Sequence, residues 1–150
     1  MIQDSIKRQI TIRAPKERVY QAITDPKQIV SWFPETIDGT LEMGDSPTIS
    51  FGSDYVFQIL VVGANPYDYF AYRWVPANAD GSIGFKGNVL EFPNTLVEFR
   101  LEDDPKGTML TLTESGFSAF SEAVAEKQLT QNSAGWDTML DRLEKLFLQE

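Results

Sequence analysis

Apolar residues recur every second position at the start of the chain. Ile6, Ile10 and Ile12 alternate with Lys7, Gln9, Thr11 and Arg13, the pattern of a half-buried strand. Ala14-Pro15 ends it, and proline suits the first position of a helix. Val19, Ala22 and Ile23 then mark the buried face of a short helix that stops at Thr24-Asp25-Pro26. Pro26 opens a second short helix through Ile29, Val30, Trp32 and Phe33, closed by Pro34. From there the period returns to two. Strands are predicted over 36–41, 48–51, 55–62 and 67–75, each followed by a turn signal or a glycine-rich stretch. In the last of these Phe70, Tyr72 and Trp74 share one face while Tyr69, Ala71 and Arg73 share the other.

The segment 77–94 breaks this rhythm with Gly81, Gly84 and Gly87. Connections longer than about 12–15 residues usually carry function or structure of their own. It is expected to be mobile and to border a pocket mouth, with Val89-Leu90-Glu91-Phe92 as a short edge strand. The next strand, 95–102, places Val97, Phe99 and Leu101 on one face. Asp103-Asp104-Pro105-Lys106-Gly107 turns it into a strand of alternating threonine and leucine that ends at Gly116. Beyond residue 118 there is no proline, and Leu129, Trp136, Leu140, Leu143 and Phe147 recur at helical spacing. The elements therefore predict an α+β fold, a curved antiparallel sheet wrapped around a long C-terminal helix, with two short helices after the first strand. That shape encloses a pocket.

Bulk properties narrow the chemistry. At 150 residues the chain is expected to form one domain, 1–150, and such a domain buries about 70% of its unfolded surface. The longest apolar run, Ile59 to Val62, is a strand's length, so no membrane span is expected. Met1-Ile2-Gln3-Asp4 has no basic segment leading into an apolar one, so no leader is expected and a cytoplasmic location is favoured. Cysteine and histidine are both absent, which excludes thiolate chemistry, Ser–His and Cys–His nucleophiles and ordinary zinc sites. The net charge of -9, without a cluster of Lys or Arg, argues against nucleic acid and anionic membrane surfaces. The acidic residues lack the ligand spacing of a calcium loop. Neither a metal nor a cofactor is expected.

The candidate site residues are the large side chains on the buried faces. Trp32 and Phe33 either cap the pocket mouth or anchor their short helix on the sheet. Phe70, Tyr72 and Trp74, with Phe99 on the neighbouring strand, either line a cavity or fill it. Trp136 and Leu140 supply the helix side. Gly135 costs about 1 kcal/mol in a helix interior, which predicts close approach of the helix to a neighbouring element there. Glu114 has the parity of Leu110 and Leu112, and Arg8 has that of Ile6, Ile10 and Ile12, so both should face inward.

The order of elements resembles the helix-grip fold of the START/Bet v-type (SRPBCC) superfamily. Within it the chain resembles the branch related to the C-terminal domain of the activators of heat-shock protein 90 ATPase. The resemblance rests on Ile10-Thr11-Ile12-Arg13-Ala14-Pro15-Lys16-Glu17-Arg18-Val19-Tyr20, Thr24-Asp25-Pro26, Trp32-Phe33, Asn65-Pro66, Leu96-Val97-Glu98-Phe99, Gly107-Thr108, Thr113-Glu114-Ser115-Gly116-Phe117 and Gly135-Trp136. In such folds the first and last strands are antiparallel neighbours. Setting Ile10 opposite Leu112 puts Arg8 opposite Glu114, as the polar end of the pocket or as a half-solvated structural pair at the sheet's edge. The resemblance implies three activities. The first is binding of a lipid-like or aromatic small molecule in the pocket. The second is a co-chaperone-like interaction module of the stress response, acting through its surface on a chaperone partner. The third is a cyclase or dehydratase, for which Glu114 and the tyrosines would be the acid–base groups. A monomer and a homodimer are both compatible with the sequence.

Overall fold

The computed structural model describes residues 4–148. The expectation about a leader rests on Met1, Ile2 and Gln3, which lie outside the described residues. Strand β1 (Ser5–Ile12) leads into α1 (Lys16–Thr24) and α2 (Pro26–Ile29). Strands β2 (Thr36–Asp38), β3 (Thr48–Ser50), β4 (Val56–Gln58), β5 (Leu60–Asn65), β6 (Tyr69–Trp74), β7 (Thr95–Asp104) and β8 (Gly107–Ser115) follow, and α3 (Glu122–Leu148) closes the chain. The main sheet is antiparallel with the order β1-β8-β7-β6-β5, and β2-β3-β4 form a second, smaller sheet. This is a helix-grip α+β fold. Its core lies between the concave face of the main sheet, α1, α2 and α3. None of the described helices is long and apolar enough to cross a membrane.

Strand β8 shows why these residues choose this geometry. Burial alternates without a break, so that Thr108, Leu110, Leu112 and Glu114 face the core while Met109, Thr111 and Thr113 face outward. On α3 the buried positions are Ala125, Gln128, Trp136, Leu140, Leu143 and Phe147, one stripe of a helix against the sheet. At α2, Asp25 caps the helix by accepting a hydrogen bond from Lys27 N at 2.9 Å, and Pro26 occupies the first turn.

Three expectations are corrected. The apolar run 55–62 is not one strand. It divides at Ile59, whose N–H bonds to Pro47 O and whose carbonyl accepts from Ser46 Oγ at 2.6 Å, and the chain passes there from the small sheet into the main one. Residues 89–92 form one turn of 3₁₀ helix, Val89–Glu91, not an edge strand. Asn88 caps that turn, and Asn94 Nδ2 donates to the carbonyls of Val89 and Phe92.

The third correction is the register of β1 on β8. Ile10 pairs with Leu110, Arg8 with Leu112 and Ile6 with Glu114, two residues away from the expected alignment. A shift of two leaves every side chain on its own face, so parity cannot detect it. What sets the register is the close approach of Gly107 to the end of β1. Thr108 Oγ1 also donates to Ala14 O there, at 2.7 Å. Gly107 has φ +141, and a Cβ at this position would lie 2.8 Å from Ala14 N and closer still to Ile12 O. Both obstacles are backbone, so they cannot swing aside. Gly107→Ala is expected to destabilise the fold by about 2 kcal/mol or more, from strained backbone and clash together. Urea denaturation measures this, and a midpoint equal to the parent's would contradict the register assignment.

Candidate functional site

Glu114 is the organising residue of the core's upper end. Its carboxylate is fully buried and is surrounded by neutral donors. Oε2 accepts from Trp74 Nε1 at 2.9 Å and from Thr95 Oγ1 at 2.6 Å, and Oε1 accepts from Trp136 Nε1 at 2.8 Å. Asn132 Nδ2 lies 3.2 Å from both oxygens. Thus β8 presents the carboxylate, β6 and β7 supply Trp74 and Thr95, and α3 supplies Trp136 and Asn132. A carboxylate has about four acceptor sites, and here each is engaged. Among the described residues no Lys or Arg forms an ion pair with it. Burial raises the Glu114 pKa above its usual value of 4.5, while the bonds from Thr95, Trp136, Trp74 and Asn132 pull it back down. Tyr72 is buried beside it, and burial together with the Glu114 charge raises the phenol well above its usual value of 10.0.

Three of those donors, Trp74, Asn132 and Trp136, also form the wall of a pocket. A cavity of about 370 Å³ opens between α3 and the strands facing it. Phe33, Phe51, Phe57, Trp74 and Ile83 line it on one side, and Gln128, Asn132, Gly135 and Trp136 of α3 on the other. Phe33 stacks on Trp136 with ring centroids 5.3 Å apart and 20° between planes, and meets Phe51 edge-on. Phe57 packs on Trp74 at 5.0 Å. The segment 77–94 borders the cavity through Ile83, and Phe85 fastens it to β4 by bonds to Val56 O and from Gln58 N.

The predicted site residues divide into two groups. Phe33, Trp74 and Trp136 line the cavity, with Glu114 behind the two indoles. Trp32, Phe70, Phe99 and Leu140 sit in the core instead. Trp32 is an anchor, because its Nε1 donates to Ala22 O at 2.8 Å and fixes α2's exit on α1. Phe99 meets Trp32 and Trp136 edge-on and fills the space beneath them. Tyr72 also belongs to the core, where no protein group bonds its hydroxyl. Arg8 does not reach Glu114. Its Nε bonds Asp137 Oδ1 on α3 at 2.7 Å, at the half-exposed margin where the helix crosses β1. An exposed pair of this kind contributes little to stability. The expected Arg8–Glu114 pair at a polar end of the pocket is therefore not formed: Arg8 bonds Asp137, and Glu114 bonds neutral donors behind the cavity wall.

Gly135 is a further correction. Nothing lies within 4 Å of where its Cβ would be, so close helix packing does not explain the glycine. Its missing side chain leaves cavity space. Sequence reasoning also overlooked Gln128 and Asn132. Together with Trp136 they recur every fourth residue on the stripe that faces the sheet, and two amides on an apolar stripe are the signal that was present. Gln128 is 2% exposed, and no protein group accepts from its Nε2. Among the described residues no group of His, Cys, Asp or Glu is arranged to hold a metal ion.

Comparison with known proteins places this geometry in context. The family model described as Activator of Hsp90 ATPase homolog 1-like protein matches residues 13–148. No curated protein matches the sequence. Among solved structures, protein MLL2253 of Mesorhizobium loti is 23% identical, with 97% of each chain covered and a TM-score of 0.78. The Aha1 dimer of Colwellia psychrerythraea is 18% identical over 98% of this chain and 96% of that one, with a TM-score of 0.75. DynU16, a putative protein in the dynemicin biosynthetic locus, is 24% identical with a TM-score of 0.76. The match covers 96% of this chain and 47% of DynU16, so the chain spans about half of that protein's length. Identities this low establish a shared fold.

Proposed function

The chain belongs to the Activator of Hsp90 ATPase homolog 1-like family, and from that premise we propose that it binds an apolar, aromatic small molecule between its sheet and its terminal helix. The observation that carries this reading is the wall of the cavity. Six aromatic side chains border about 370 Å³ of space, and Gln128, whose buried Nε2 has no protein acceptor, is among the lining residues. Ligand sites typically occupy about 300–1,000 Å³ and combine apolar walls with a few polar groups. An unpaired buried amide costs about 1–3 kcal/mol, a cost that an acceptor on a ligand removes. On this reading Phe33, Trp74 and Trp136 contact the ligand. Glu114 acts from behind, holding both indoles in place, and has no contact with the ligand.

The solvatochromic dye prodan, a neutral naphthyl ketone, tests the proposal. It is expected to bind saturably with a blue shift in emission. Gly135→Leu should abolish the shift, because the new side chain enters the cavity. That variant should melt no lower than the parent, since it meets no atom within 4 Å and replaces a helical glycine. Dye binding unchanged in Gly135→Leu, or no binding by the parent, would refute the cavity as the ligand site.

The family also favours a second reading, a co-chaperone-like module that acts through its surface. Leu90 and Phe92 stand 60% and 48% exposed on the segment after β6, an apolar pair of the kind such contacts use. On either reading we take the protein to work in the cytoplasm as one domain, as a monomer or a homodimer.

A further inference from the structure

We infer that the cavity selects an uncharged aromatic ligand bearing an acceptor oxygen, with Gln128 as the specificity-determining residue and Glu114 excluding anions. The inference rests on the ligand-binding reading and deepens it. Three observations support it. Gln128 lines the cavity and its buried Nε2 has no protein acceptor, so a rotation that turns the amide toward a ligand would pair it with a carbonyl, ether or hydroxyl oxygen. None of the residues lining the cavity carries a charge, so a ligand carboxylate or phosphate would enter without a counterion. The group behind the wall is acidic, the wrong sign to balance an anion. Glu114 lies behind Trp74 and Trp136, bonded to both indoles, and the chain's net charge of -9 adds to its field.

A cationic ligand fits no better. The oxygens of Glu114 are occupied by Trp74, Thr95, Trp136 and Asn132 and have no lone pair free for an ammonium group. Gln128 Nε2 would oppose one, because a donor would face a donor. The aromatic side chains of the wall, Phe33, Phe57 and Trp136 among them, complete the selection by favouring an aromatic ring system over a flexible acyl chain.

Calorimetric titration with four matched naphthalenes tests this. The probes are 2-acetonaphthone (neutral, with acceptor), 2-ethylnaphthalene (neutral, without acceptor), 2-naphthoate (anionic, with acceptors) and 2-naphthylmethylammonium (cationic). At pH 7 the ketone is expected to bind about tenfold more tightly than the hydrocarbon, the margin of one satisfied buried hydrogen bond. It should exceed both charged probes by tenfold or more. In Gln128→Leu, which keeps the volume and removes the donor, ketone and hydrocarbon should bind within twofold of each other. Equal binding of all four by the parent would overturn the inference and leave the pocket reading standing. Tighter binding of naphthoate or of the ammonium would overturn it too. Failure of all four to bind would instead refute the pocket reading. If Gln128→Leu does not fold, Gln128→Glu replaces it. That variant turns a donor into an acceptor, and a ketone affinity equal to the parent's would overturn the role of Gln128.

Discussion

Replacing Trp136 with alanine is expected to lower the stability of the protein by about 3–5 kcal/mol, the usual cost of deleting a large buried aromatic. The indole is almost wholly enclosed, stacked on Phe33 and set edge-on against Phe99. Its N–H also supplies one of the bonds to Glu114. Alanine therefore opens a void and removes a donor from a buried carboxylate at the same time. Domains of this size have only about 5–15 kcal/mol in hand, so the effect is a large share of the total. Trp136→Phe keeps an aromatic ring for the stack while deleting the N–H and the smaller part of the indole's volume, and should cost less than alanine does. Chemical denaturation of both variants gives the answer, and a Trp136→Ala midpoint within error of the parent would show that the helix is not anchored here.

The second large effect concerns Glu114. A carboxyl group, ionised or neutral, can accept from both indoles, because a protonated oxygen that donates to Thr95 Oγ1 still accepts from Trp74. An amide nitrogen cannot accept. In Glu114→Gln one of the two indole N–H groups must face an NH₂, and one orphaned donor costs about 1–3 kcal/mol. The deficit should depend on pH in a defined direction. The folded-state pKa is raised above the usual 4.5, so the native state holds the proton more tightly than the unfolded chain does. The parent's stability from this group is complete below pH 4.5 and is lost as pH rises through the raised folded value. Glutamine does not titrate. The destabilisation of Glu114→Gln relative to the parent should therefore be greatest near pH 4 and shrink through that window. Paired denaturation curves across pH would show it, and a deficit that grows with pH would mean that the folded carboxyl pKa is lowered rather than raised.

Much of this was legible in the sequence, and the rest was hidden for physical reasons. The alternation of β8 and the stripe of α3 are periodic over many residues, and they correctly placed Glu114 indoors and Trp136 against the sheet. Register is a different kind of information. Arg8 keeps its face under a two-residue shift, so its true neighbour, Asp137, depends on the fit of Gly107 against Ile12 and Ala14. Ile59 was misread because an apolar run looks the same whether it belongs to one sheet or crosses between two. The division of the aromatics was also invisible. Phe99 and Trp74 have the same parity and chemistry on neighbouring strands, yet one fills the core and the other borders the cavity. That difference depends on where α3 lies along the sheet. Gln128 and Asn132 were readable as polar breaks in an apolar stripe, and the larger pattern around them masked the signal.

The account's central claim is that the cavity walled by Trp74, Trp136 and Gln128 is a binding site. Titrating 2-acetonaphthone into isotopically labelled protein tests it most directly, with nuclear magnetic resonance following the side-chain N–H signals. The account predicts saturable shifts in the indole signals of Trp74 and Trp136 and in the Gln128 amide, with the signal of Trp32, buried in the core, left in place. Unmoved Trp74, Trp136 and Gln128 signals at a concentration that saturates the protein, or shifts confined to other surfaces, would contradict it.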